Sequence, residues 1–164
     1  MKISWKWLLR LVIMIAVYIL LGNSRSIEPN PVISGATIAV NMIVPVIAGI
    51  LFGRWTGGLV GVIGTFLNSL TPAGSFFEFL AVLPHGVMGF LAGYFKDKLP
   101  SPILAFALVI GHILNIFMFT VSGMLSVSSL MNITFWYALA YESLIGIVTI
   151  IVIVTIYRIG FEGK

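Results

Sequence analysis

Seven side chains able to do polar chemistry stand in apolar runs of this 164-residue chain: His85, His112, Glu78, Glu142, Asn41, Asn68 and Asn115. Imidazoles and carboxylates can move protons or ligate metals, and together with amides they can hold a polar ligand by hydrogen bonds. No two of the histidines and glutamates stand four residues apart, the spacing that helical metal ligands favour. Several kinds of catalysis lack their parts. Without Cys there is no disulfide, thiolate metal site or cysteine nucleophile. Neither H-E-x-x-H nor G-x-S-x-G occurs, and no phosphate-binding P-loop is present. The sole aspartate, Asp97, has no partner aspartate with which to hold magnesium. These residues point to binding rather than to an enzyme, with no metal and no cofactor expected.

What must position them is set by composition. The chain is 60% hydrophobic and 9% charged, with a mean hydropathy of +1.14. A soluble domain carries about a quarter charged residues, so this much apolar surface belongs in a bilayer. Crossing takes about 20 residues per helix. Turn residues divide the sequence into six apolar runs, at Trp7–Gly22, Ser34–Phe52, Trp55–Leu70, Phe76–Phe95, Ile103–Ser122 and Ile133–Tyr157. The run "MKISWKWLLRLVIMIAVYILLGNS" lacks a small-x-small cleavage signal and reads as a retained first helix.

Charge orients the bundle. Eight of nine Lys and Arg fall at the termini or in alternate loops, and only Arg25 lies on the other side. The positive-inside rule then places both termini in the cytoplasm. The net charge of +4 is thereby explained by topology, and no nucleic-acid partner is expected. The expected fold is a single domain, residues 1–164: an all-α integral membrane protein, a compact bundle of six transmembrane helices with cytoplasmic termini.

Helical periodicity aims the polar residues inward. At about 100° per residue, Gly57, Gly61, Gly64, Thr65 and Asn68 share an arc, as do Glu78, His85, Gly89 and Gly93. Ser34, Asn41, Pro45 and Ala48 share another, and Glu142 lies with Ala138, Gly146 and Thr149. Small residues let helices approach closely in lipid, so these faces point into the bundle. With cytoplasmic termini, Asn68, Glu78 and Asn115 lie towards the outside, and Asn41, His85, His112 and Glu142 nearer the middle. An ionisable group at the bilayer centre costs about 2.5–3.5 kcal/mol on insertion scales, more than packing alone requires. His112 and Asn115 could equally act as polar glue between helices, and Glu78 could lie in the wet interface.

The stretch "PVIAGILFGRWTGGLVGVIGTFLNSLTPAGSFFEFLAVLPHGVMGFLAGYFKDK" resembles the core of the substrate-binding S components of energy-coupling factor (ECF) transporters. The resemblance rests on the Gly53-Arg54 turn, the run Gly57–Gly64, the outer loop Pro72–Gly74, and Gly89–Gly93 before the basic Lys96. It implies a protein that captures a vitamin or its precursor from outside. Its implied partners are a membrane T component and two ABC-type ATPases, with toppling of the S component in the bilayer as the delivery step. Such proteins often dock the T component through A-x-x-x-A on the first helix; here only Ala16 stands there, with Gly49 and Gly53 as possible substitutes.

The residues narrow the ligand. No Lys or Arg except Arg25 lies in the outer half, which argues against a multiply anionic molecule. The polar set suits a heteroaromatic ring or a cation, with Trp136, Tyr137 or Tyr141 stacking on it. A thiamine-related pyrimidine or thiazole is the expected class. Competing readings are a small membrane scaffold of the cell-shape machinery and a proton-coupled carrier.

Overall fold

The computed structural model of the chain describes residues 4–24, 39–72 and 74–162. Among them every regular element is helical. Helix α1, Trp5–Asn23, starts where Ser4 accepts a hydrogen bond from the Trp7 amide at 3.2 Å. A 3-10 turn at Val40–Met42 leads into α2, Ile43–Phe52, and Pro45 sits in the first turn, where its missing N–H leaves no gap. Gly53, with φ +94°, parts α2 from α3, Arg54–Leu59. Only glycine takes that backbone readily. A π turn at Val60–Gly64 carries α3 on into α4, Thr65–Ser69.

Ser75 caps α5, Phe76–Leu80, by accepting from the Glu78 amide at 3.3 Å. At Ala81 the chain shifts into α6, Val82–Tyr94. Pro84 is the cause, because its ring has no N–H for the carbonyl of Leu80 and crowds it. Helix α7, Ser101–Ala105, carries Pro102 at its start and bends at Phe106 into α8, Ala107–Val121. Gly123, with φ +77°, stops that run. A short α9, Val127–Leu130, precedes α10, Ile133–Tyr157, which Asn132 caps and a π turn at Arg158–Glu162 extends.

The apolar runs expected from the sequence coincide with helices to within a few residues, the second being described only from Ala39. Its upstream part with Ser34, the Arg25 loop, and the terminal Lys2 and Lys164 lie outside the described residues. Among the described residues, three helical stretches are long and apolar enough to cross a membrane: Trp5–Asn23, Ser101–Val121 and Ile133–Phe161. Val40–Phe52 is apolar but shorter.

The bundle is tightest where α2, α3 and α6 meet. Gly49, Gly57 and Gly89 pack there backbone to backbone, and a Cβ on any of them would collide with another's main chain. Gly61 abuts the backbone of His85 and Gly86 in the same way. Helix α8 packs on α6 through Gly111 against Met88, and α10 reaches α8 through Gly146 against Leu108. Helix α1 lies across the π turn, with Tyr18 over Gly64. Without a hydrophobic force between helices in lipid, such close contact is what holds them together.

The two ends differ. At one, Arg10 lies over the Phe52 ring, Arg54 over Trp55 and Tyr94, and Lys98 over Tyr94 and Phe95, all within 5.9 Å of the ring centres. Helices α1 and α3 run away from this basic end. Tyr18, Asn23, Thr65 and Asn68 therefore lie towards the other.

Candidate functional site

Hydroxyls, amides and imidazoles in an apolar bundle have only each other and the backbone to bond with. Three of them close a triangle. Thr65 Oγ1 donates to Tyr18 Oη at 2.9 Å, and His85 Nδ1 lies 2.8 Å from Tyr18 Oη and 2.9 Å from Thr65 Oγ1. The three residues come from α4, α1 and α6, and all are buried. The π turn delivers Thr65 to this point, and the break at Ala81 sets the start of the helix that carries His85.

The triangle extends in two directions. On one side Tyr18 Oη donates to Glu78 Oε1 at 3.4 Å, and Asn41 Nδ2 donates to the same oxygen at 3.0 Å. On the other, Asn115 Nδ2 lies 3.3 Å from His85 Nε2 and 4.0 Å from the Met42 sulfur. Nearby, Asn23 Nδ2 donates to Asn68 Oδ1 at 2.8 Å and to the Ile19 carbonyl at 2.9 Å. Asn41, Asn68, Glu78, His85 and Asn115, far apart in the sequence, thus gather in the half of the bundle away from the basic end.

A second group adjoins α8 and α10. Glu142 Oε1 accepts from the Ala39 backbone N–H at 2.8 Å, which ties the entry to α2 onto α10. Glu142, His112, Thr149 and Gly146 line a cavity of about 20 Å³, room for a single water.

Two buried polar atoms in these groups, His112 Nε2 and Asn115 Oδ1, have no hydrogen-bond partner among the described residues, and Asn68 Nδ2 has none but the neighbouring Glu78 carboxyl. An orphaned buried polar atom costs about 1–3 kcal/mol. Here each orphan belongs to a residue that the sequence singles out for binding. The arrangement offers a polar guest a free amide oxygen and a free imidazole nitrogen.

Other expected residues lie elsewhere. Trp136 and Tyr141 are exposed, at 44% and 41%. The Trp136 indole donates outward to the Leu130 carbonyl at 2.7 Å. Tyr137 is more exposed still. The aromatics expected to stack on a ligand therefore face away from the network in this structure. Among the expected docking residues, Ala16 is exposed on α1, Gly53 forms the α2–α3 turn, and Gly49 is buried against Gly89.

Tyr18 and Asn23 are members that sequence reasoning missed. Tyr18 is fully buried and touches three other polar side chains. The available signal was a lone hydroxyl in the middle of "LVIMIAVYILL". Thr65 was already placed on the inward arc.

Compared with known families, residues 2–160 match the model described as ECF-type riboflavin transporter, S component. No curated protein and no solved structure matches the chain significantly.

Proposed function

The chain belongs to the S-component family of ECF-type riboflavin transporters, and on that premise we propose that it captures riboflavin at the outer face of the cytoplasmic membrane. It hands the vitamin on through a T component and two ABC-type ATPases. The observation that carries this reading is the family match across nearly the whole chain. An orphan-bearing hydrogen-bond network away from the basic end supports it.

The flavin replaces, in this reading, the thiamine-related ring expected from the sequence. Riboflavin is uncharged, with an imide N–H between two carbonyls and a chain of hydroxyls. Asn115 Oδ1 can accept from an N–H, Asn68 Nδ2 can donate to a carbonyl, and His112 and Glu142 can meet hydroxyls. The 20 Å³ cavity is far too small for three fused rings, so entry requires the outer halves of the helices to part.

Topology follows the same reading. Six crossings with both termini inside put Arg10, Arg54 and Lys98 at the cytoplasmic interface, where the basic and aromatic side chains cluster. Exposed Ala16 on α1 is then available to the T component, whereas Gly49 serves packing within the bundle.

The test is to purify the protein and identify any retained small molecule by mass spectrometry, then titrate apo protein with riboflavin while following flavin fluorescence. Retained flavin, or strong quenching at nanomolar to micromolar vitamin, supports the reading. No retained flavin, no quenching and no thermal shift would overturn it.

A further inference from the structure

The hydrogen bonds around His85 have a direction, and it can be read from either end. At one end, Glu78 Oε1 already accepts from Asn41 Nδ2 at 3.0 Å. With the carboxyl ionised, or with its proton on the other oxygen, that oxygen is an acceptor only, and Tyr18 Oη donates to it at 3.4 Å. Tyr18 Oη has then used its proton. It can only accept, from Thr65 Oγ1 at 2.9 Å and from the His85 ring at 2.8 Å. In that arrangement His85 Nδ1 bears the ring proton.

At the other end, the Asn115 amide faces the Met42 sulfur at 4.0 Å and His85 Nε2 at 3.3 Å. A thioether sulfur accepts and never donates, so the group turned towards it is the –NH₂. An –NH₂ facing Nε2 requires that nitrogen to be bare. The two ends agree on one tautomer of His85, with the proton on Nδ1. Both amide hydrogens of Asn115 are then engaged. Its Oδ1 is left without a partner, on a residue only 7% exposed.

We infer that Tyr18, Thr65 and Glu78 hold His85 in its Nδ1–H form, and that His85 thereby presents Asn115 to the ligand as a hydrogen-bond acceptor, selecting a guest with an N–H donor. Tyr18, Thr65, Glu78 and His85 are positioning residues, and Asn115 is the specificity determinant. The opposite tautomer would turn the Asn115 amide over and offer an N–H₂ in the same place. It would also set that group's carbonyl oxygen against the Met42 sulfur, an acceptor against an acceptor. The inference rests on the flavin reading for its ligand: the imide N–H at position 3 of the isoalloxazine is the donor that Asn115 Oδ1 would take.

Two measurements separate the parts. His85 and His112 are the only histidines, so ¹⁵N-histidine labelling of the full chain gives two ring systems, which His112→Gln assigns. The Nδ1–H tautomer is expected for His85, and Tyr18→Phe is expected to let the Nε2–H form appear. An Nε2–H tautomer in the unsubstituted protein, or no change in Tyr18→Phe, would overturn the relay.

The second measurement compares riboflavin with 3-methylriboflavin, which has no imide donor. A site with a buried acceptor aimed at that position should bind the methyl compound at least about 30-fold more weakly, and Asn115→Ala should shrink that ratio to about threefold or less. Equal binding of the two flavins to the unsubstituted protein would overturn the assignment of Asn115. Failure of both to bind would instead overturn the flavin reading, and the tautomer experiment would still decide the relay.

Discussion

The hydroxyl of Tyr18 lies 2.8 Å from Nδ1 of His85, a residue 67 positions further along the chain. This contact joins α1 to α6 inside the buried polar network, and Thr65 of α4 completes it. Tyr18→Phe keeps the ring over Gly64 and removes only the hydroxyl. The loss should cost about 1–3 kcal/mol, because His85 and Glu78 each lose a partner. Thermal unfolding in detergent should show a midpoint several degrees lower, and an unchanged midpoint would count against the network as a stabilising feature.

Glycines in this chain divide by what surrounds them. Gly61→Ala and Gly89→Ala place a methyl against the main chain of a neighbouring helix, which cannot move aside as a flexible side chain can. Each should cost about 1–3 kcal/mol or more, seen as loss of monodisperse protein on size-exclusion chromatography. Gly160→Ala, with open space around it, should leave the elution profile unchanged.

Glu142 holds the Ala39 amide as an acceptor. Gln can do the same through its carbonyl oxygen, whereas Ala cannot. Glu142→Gln should keep riboflavin affinity within about threefold. Glu142→Ala should lower it about tenfold or more, the worth of a lost hydrogen bond that leaves a buried N–H unpaired. Fluorescence titration distinguishes the two, and equal losses would point instead to the carboxylate's charge.

The sequence contains no Cys, so single-cysteine labelling needs no background removal. With six crossings and inner termini, Ser126→Cys should react with an impermeant maleimide in intact cells, and Asp97→Cys only after the membrane is opened. The reverse pattern would invert the topology. Labelling of both in intact cells would exclude an odd number of crossings between them.

Much of the network was legible in the sequence, for a physical reason. His85, Asn115 and Glu78 interrupt apolar helices, and a polar group in hydrocarbon must find partners inside the protein. Arcs of small residues gave the inward face, and Gly57, Gly61 and Gly89 do lie there. Tyr18 escaped because a tyrosine in an apolar run is ordinary by hydropathy, and only tertiary contact reveals what its hydroxyl meets. Trp136 and Tyr141 were expected inward, yet α10 is apolar nearly all round, so its sequence gives little sense of which side faces lipid. The shift at Ala81 follows from Pro84 and could have been anticipated. The π turn could not, since a uniform 100° per residue has no place for it.

That π turn bears on how the chain tolerates changes in its length. A π turn holds one residue more than the α-helical turn it replaces. Losing one residue from Val60–Gly64 would restore ordinary winding and leave Thr65 and Asn68 aimed at Tyr18 and Asn23. The same deletion within α4 would swing every later side chain by about 100° and separate Asn68 from Asn23. The third helix therefore carries one residue of slack, located between the segment that packs against α6 and the segment that carries Thr65 and Asn68.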